Sequence, residues 1–366
     1  MFRKINEEKK FIEKNPAFQR SENPILTVII TTYNQAHCIN KCIRSIQNQT
    51  IKNIEILIID DCSTDNTTET INELQKIDPR IILIQHTMNE GKIKTRSDGI
   101  KLAKGKFITI IDGDDAFANK DIFNHSLYII QKEKIDIIEF QAARFKNQEF
   151  ISIVNSYPLT NLTNIVYQPE LRTKFFVIIN DDEVRAIQSR SICAKIIKTE
   201  VFKEALKYIG IKYTNDYISS YEDTILFVGI LHIAKSYYYL KEIGYYYSGD
   251  ESHSLFPKLK NKVCIPNNKI KDMGHIKLLH FLLDKTRNNE FEKQVVYHEL
   301  ISINHYSSLV KTTYHHFYYV YDIFDALIRS SYLSDFQKRR LLFIKKRIMI
   351  KEKIIKFKNY LFIRKF

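Results

Sequence analysis

Ile25 to Thr32 is a short, unbroken, β-branched run, the pattern of a strand buried on both faces of a parallel sheet. Tyr33-Asn34-Gln35 interrupts it. Cys38, Ile39, Cys42, Ile43 and Ile46 then recur at the three- and four-residue steps of an amphipathic helix. The alternation repeats along the chain. Ile54 to Ile59 predicts a second strand ending at Asp60-Asp61, and Ile71, Leu74 and Ile77 mark a second helix. Ile81 to Ile84 predicts a third strand, Ile93 to Ala103 a third helix stopped by Gly105, and Phe107 opens a fourth strand. Ser63, Thr64 and Asp65 are residue types that cap helix N-termini. Strands alternating with helices at this spacing predict a doubly wound α/β domain.

The pattern loosens from Ala116 to about Leu255. Helical stretches (Ile122 to Lys132, Glu200 to Tyr208) mix with strand-like ones (Ile135 to Phe140, Ser236 to Leu240, Gly244 to Tyr247). Beyond Pro266 there is no further proline and one glycine, Gly274, which predicts an all-helical region. Met1 to Asn23 is polar and charged, a tail or surface helix.

A chain of 366 residues that is 44% hydrophobic can bury a sizeable core, which excludes global disorder. No run approaches the ~18 apolar residues needed to cross a bilayer, and the charged N-terminus shows no signal peptide. Cys38, Cys42, Cys62, Cys193 and Cys264 are odd in number and lack zinc-type spacing, which fits a reducing, cytoplasmic setting. The net charge of +14 calls for an anionic partner or surface. Most of the excess lies in 335–366, where Lys338, Arg339, Arg340, Lys345, Lys346 and Arg347 stand among Leu341, Leu342, Phe343, Ile344 and Ile348. One helix face there is apolar and the other cationic. That suits a peripheral site on an anionic membrane surface. It suits equally a packed helix with a solvated basic face. Nucleic acid is disfavoured as partner, because no recognised module accompanies the charge.

The densest chemistry is Asp112-Gly113-Asp114-Asp115, directly after the strand opened by Phe107. Like charges this close repel, and a hard divalent cation would neutralise them. The alternative is a polar turn bent at Gly113. In doubly wound sheets ligands bind beyond the carboxyl ends of the strands. Tyr33, Asp60, Asp61 and the Asp112–Asp115 cluster all fall at such ends, so the pattern predicts one shared crevice.

Four blocks in order carry a resemblance. Thr27 to Asn34, Ile58 to Asp65 (with Cys62 where glycine is commoner), the spaced Asn89, Gly91, Arg96 and Gly99, and Asp112 to Asp115 together resemble the nucleotide-sugar-binding half of family 2 glycosyltransferases of the GT-A fold. The likeness continues more thinly. Ala194-Lys195 through Phe202 is similar to the segment before that family's acceptor helix, and Tyr221-Glu222-Asp223 to the acidic pair that opens it. Tyr245 to Tyr247 and Ser252-His253-Ser254 resemble the end of the catalytic domain, with Ser248 where the family often carries an arginine.

The resemblance implies a GT-A domain over 25–262, with a nucleotide-sugar-binding half (25–115) and an acceptor half (116–262). A tail (1–24) would precede it and a basic helical region (263–366) follow it. It implies Mn²⁺ or Mg²⁺ at Asp114 and Asp115, with Asp112 on the metal or the ribose. Thr32, Tyr33 and Asp61 would hold the base, and Arg96 would reach base or phosphate. Asp223 would be the catalytic base of an inverting transfer, with Glu222 beside it orienting the acceptor or raising its pKa. In isolation Arg96 reads as a solvated helix charge, and Glu222-Asp223 as acids suited to a helix N-terminus; the four-block match turns both readings toward the site. His253 could be a metal or phosphate contact, or simply exposed. The expected donor is a nucleotide sugar, UDP-linked by preference, and the expected acceptor a bacterial surface glycan or lipid-linked glycan. A nucleotidyltransferase would want a glycine-rich phosphate loop with a lysine after the first strand, and Thr31 to Gln35 has neither. A vestigial nucleotide-binding module is the non-enzymatic rival.

Overall fold

A computed structural model describes residues 21–146, 149–153, 165–168, 176–180, 183–186, 191–218 and 222–248, with Leu171, Phe281 and scattered positions from 325 to 349. Residues 1–20 of the sequence-predicted tail (1–24), Tyr221, His253 with its serine neighbours, and most of 263–366 lie outside the described residues.

The parallel strands are β1 (Leu26–Thr32), β2 (Ile54–Asp60), β3 (Ile81–Gln85) and β4 (Phe107–Asp112), hydrogen-bonded in the order β3-β2-β1-β4. Every residue of β1 and β2 is buried, which is why both read as continuous apolar runs rather than alternating ones. Helices α1 (Ile39–Gln47), α2 (Thr67–Ile77) and α3 (Lys92–Leu102) connect them. The register sets Thr32 beside Asp60 and Thr31 beside Asp112, so the strands end level and their polar termini share one edge.

The same sheet continues through strands from the less regular half. These are β5 (Ala116–Phe117), β6 (Ile137–Lys146), β7 (Glu149–Ile153), β8 (Val166–Tyr167), β11 (Lys195–Lys198) and β12 (Ser236–Ser248). β11 inserts antiparallel between β4 and β6, β12 runs parallel to β6, and β5 closes antiparallel on β12. The inserted strand is pinned by Lys195, whose Nζ lies 2.9 Å from Glu139 on β6, both side chains being inaccessible to solvent. The Tyr237 hydroxyl of β12 donates to the same carboxylate at 3.2 Å. Around the sheet stand α4 (Ile122–Lys132), α5 (Thr199–Ile209), the single turn α6 (Ile211–Thr214) and α7 (Glu222–Ile233). α7 buries Thr224 through Leu231 without a polar face and packs on α5, as expected of an interior helix. β9 (Phe176–Asn180) and β10 (Glu183–Ala186) form a separate hairpin.

The chain separates into two compact units. One comprises Met1–Phe175 and Ile187–Lys269, the other Phe176–Ala186 and Ile270–Phe366. In the second unit the described positions between 335 and 349 are helical. Gln337 and Leu341 are buried and Lys345 pairs with Asp325 at 2.6 Å, so one face of that helix is packed. Leu342, Phe343 and Met349 are exposed. Among the described residues, no helix is long and apolar enough to cross a membrane.

Three local expectations change. Ser63 and Thr64 do not cap α2, which starts later, after Asn66, whereas Asp65 Oδ1 accepts from the N–H of Thr67, the first helical residue, at 3.1 Å. All three tie down the loop after β1: Asn34 N–H donates to Ser63 Oγ at 2.8 Å, Thr64 N–H to Asn34 Oδ1 at 2.7 Å, and Ala36 N–H to Asp65 Oδ2 at 3.1 Å. Gly105 is not a helix cap either, since α3 ends at Leu102. It lies against β1, where a Cβ would come within 2.4 Å of the Thr27 nitrogen, so only glycine permits this approach. Finally, the two strand-like stretches at 236–240 and 244–247 are one strand, kinked by register shifts between Leu240 and Tyr245.

Candidate active site

At the level edge formed by β1, β2 and β4, Asp112, Asp114 and Asp115 each present an oxygen within 4.8 Å of the others. The three are not equivalent. Asp112 accepts from Thr31 Oγ1 at 3.1 Å and from Arg96 Nη2 at 2.8 Å, and Lys92 Nζ stands 3.6 Å from its other oxygen. Burial alone would raise its pKa, but Lys92 and Arg96 hold it well below the usual carboxylate range. Asp115, between β4 and β5, is buried against β12, its oxygens accepting from the Tyr245 hydroxyl at 2.6 Å and from Ser248 N–H at 2.8 Å. Burial, then the charges of Asp114 and Asp112, push it far up. Asp114 is raised by burial and then by Asp112. One acid is therefore neutralised by protein cations, while the other two remain raised despite Lys92 and Gln35 beside Asp114 and the hydrogen bonds to Asp115. Hard oxygen donors crowded in this way fit Mn²⁺ or Mg²⁺.

Arg96 joins this cluster to the other acidic pair. Its side chain is inaccessible, and one nitrogen bonds both Glu222 Oε1, at 2.9 Å, and Asp223 Oδ1, while the other bonds Asp112. Glu222 lies 126 residues along the chain, yet α7 begins here, with both acids in its first turn. Burial, followed by repulsion from Asp223, pushes Glu222 up to about 7. Asp223 is the more accessible of the pair, its side chain 28% exposed against 7% for Glu222. Arg96 is thus neither a solvated helix charge nor a side chain extended into open space. It is the buried link between both acidic motifs, and its Nε finds no partner among the described residues.

Asp61 forms a second, adjoining group. Its carboxylate accepts from Glu90 N–H at 2.8 Å and Gly91 N–H at 2.9 Å, and contacts His86 Nδ1 at 2.9 Å. These bonds draw the loop before α3 onto the end of β2. Gly91 takes φ +88°, a conformation glycine adopts without strain. Cys62 occupies the left-handed region at φ +67°, which accounts for the glycine preference seen in the resembled family. Thr32 is buried, its hydroxyl donating to Gln35 Oε1 at 2.9 Å, whereas Tyr33 is exposed.

Several neighbours had no signal in the sequence. Lys92 follows Gly91 in one of the four blocks but carries no pattern of its own. Cys193 is buried close enough to Asp112, Arg96 and Asp223 for each to act on its thiol; burial, then Asp112, raises it. Cys38 is pushed up to about 12 by burial, then by Asp114 and Asp115, which disfavours its thiolate. Tyr245 was visible only as part of an aromatic run.

Residues 27–204 match the family described as glycosyl transferase family 2. This chain carries a family 2 glycosyltransferase domain. Among similar proteins are an Escherichia coli UDP-Glc:alpha-D-GlcNAc-diphosphoundecaprenol beta-1,3-glucosyltransferase, WfaP, and a Campylobacter jejuni GalNAc(5)-diNAcBac-PP-undecaprenol beta-1,3-glucosyltransferase. The first is 37% identical over 111 residues, covering 30% of this chain and 43% of WfaP. The second is 39% identical over 93 residues, covering 25% and 30% respectively. The chain therefore spans less than half the length of these relatives. Among solved structures, S. aureus TarS 1-349 in complex with UDP superposes with a TM-score of 0.58 at 16% identity, covering 89% of this chain and 88% of TarS 1-349. The glycosyltransferase domain thus has the GT-A fold, with the acid cluster of β4 and the Arg96-linked pair of α7 at one edge of its sheet.

Proposed function

We propose that this chain is an inverting, metal-dependent glycosyltransferase that moves one sugar from a UDP-linked donor to a bacterial surface glycan or lipid-linked glycan. The observation that carries this is Arg96, whose single guanidinium joins Asp112 of the cation-binding cluster to Glu222 and Asp223. Breaking the anomeric bond leaves charge on a diphosphate. Asp114, Asp115 and Asp112 would hold a divalent cation, which supplies Lewis-acid stabilisation of that leaving group. Asp223, the accessible acid, takes the proton of the acceptor hydroxyl as its oxygen attacks, and Glu222 with Arg96 orients it. Asp61, with Thr32 and Tyr33, binds the base. The UDP complex of the TarS fold neighbour supports the donor class, and the diphosphoundecaprenol named for the E. coli and C. jejuni relatives supports a lipid-linked acceptor.

The test is a screen of nucleotide sugars for hydrolysis by the full chain with Mn²⁺ or Mg²⁺. A UDP-sugar is expected to be turned over and a chelator to abolish turnover. Because Asp114 and Asp115 are raised, protons compete with the cation, so more metal is needed at pH 6 than at pH 8. Turnover indifferent to chelation would overturn the metal requirement, and inertness toward every nucleotide sugar would overturn the reading itself. We further propose that 335–366 attaches the protein peripherally to anionic membrane. The full chain is expected to co-sediment with phosphatidylglycerol vesicles and a folded truncation at 334 not to; equal sedimentation of both would remove the segment from that role.

A further inference from the structure

The cations already placed at the crevice are committed to carboxylates: Lys92 faces Asp112, and Arg96 bridges three acids. Arg144 differs. It is exposed on β6, opposite Tyr247 of β12, and its guanidinium carbon lies 5.4 Å from the centre of the Tyr247 ring. The pairing runs without a shift from Tyr245 opposite Ala142 to Ser248 opposite Phe145. Side chains therefore alternate strictly here, so Tyr245 and Tyr247 share a face with Arg144, the register partner of Tyr247. That face leads to the acid cluster, because the Tyr245 hydroxyl is 2.6 Å and Ser248 N–H 2.8 Å from Asp115. The Tyr247 phenol feels the same acids: burial, then Asp115, Asp112 and Asp114, raises its pKa.

We propose that Arg144 binds the diphosphate of the nucleotide-sugar donor, held toward the crevice by the ring of Tyr247. The inference rests on the glycosyltransferase reading above and deepens it. Stacking on a ring fixes a guanidinium through its flat face and leaves the N–H groups in its plane free. Those N–H groups form the fork that phosphate oxygens accept in pairs. The acids of the cluster would repel a diphosphate, and a cation on the strand face that Tyr247 shares with Tyr245 opposes that repulsion where charge grows as the sugar leaves. Ser248, at the end of the neighbouring strand, brings no charge.

The experiment is calorimetric titration of the full chain with UDP and with UMP, both in saturating Mn²⁺, for wild type, Arg144→Ala and Arg144→Lys. Arg144→Ala is expected to weaken UDP about tenfold to a hundredfold, the worth of a hydrogen-bonded ion pair, and to leave UMP unchanged. Arg144→Lys, which keeps the charge and loses the fork, falls between. Arg144 is exposed, so thermal melts of both variants should match wild type. If UDP and UMP weaken alike, or UDP does not weaken, Arg144 is not a diphosphate ligand, although the glycosyltransferase reading survives. If wild type binds neither nucleotide, that reading falls and this inference falls with it.

Discussion

Asp223→Asn is expected to lower sugar transfer by about a hundredfold to ten-thousandfold, the usual contribution of a positioned proton acceptor, while UDP binding stays at the wild-type level. Asparagine keeps the shape of the side chain and its amide oxygen can still accept from Arg96, but it has no charge with which to receive the acceptor's proton. Arg96 retains Glu222 and Asp112, so the link to the cation cluster persists. The measurement is turnover at saturating donor and acceptor, beside a UDP titration. Wild-type turnover in Asp223→Asn would place the proton acceptor elsewhere. Loss of UDP binding would instead mean that the pair on α7 supports the donor site structurally.

Asp115→Asn is expected to separate stability from function. The carboxylate is buried and raised by burial, then by Asp114 and Asp112. A group so raised favours the folded state fully below the ordinary carboxylate pKa, and that contribution is lost as pH rises through the raised value. The asparagine oxygen can still accept from Ser248 N–H, and its amide can donate to the Tyr245 oxygen. The metal-free variant should therefore melt above metal-free wild type at pH 8, by about 2–4 °C for each ~1 kcal/mol relieved, and the gap should narrow toward pH 5. With Mn²⁺ the order reverses, because wild type gains from the cation and the variant gains little. Thermal melts across pH, with and without Mn²⁺, read both effects. An equal Mn²⁺ shift in the two proteins would remove Asp115 from the cation site, leaving it a structural anchor for β12.

The parallel half of the domain was legible because its information is local. β1 and β2 are buried on both faces and read as β-branched runs, α1 follows at helical spacing, and the acids fall at strand ends. What escaped depends on pairing between distant segments. Nothing in Lys195–Lys198 says that it will lie between β4 and β6. The two aromatic stretches of β12 look separate because the bulge between them breaks the alternation. Among site residues, Arg96 is marked by its place in the spaced block, but its partners on α7 lie over a hundred residues away and the pairing carries no local signal. Lys92 and Arg144 are ordinary cations until the fold sets one beside Asp112 and the other over Tyr247.

The insertion of β11 also dictates an order of assembly during synthesis. β4 is complete once residue 112 has emerged, but the strand that covers its outer edge is not made until 195–198, and β12, which covers β6, not until 236–248. Between those points the ribosome therefore carries apolar strands with unpaired backbone edges, the state most open to intermolecular strand pairing. Such sequence-distant contacts also make closure of the sheet slow. A nascent chain stalled before residue 195 should aggregate or recruit chaperones, and one released beyond 248 should not.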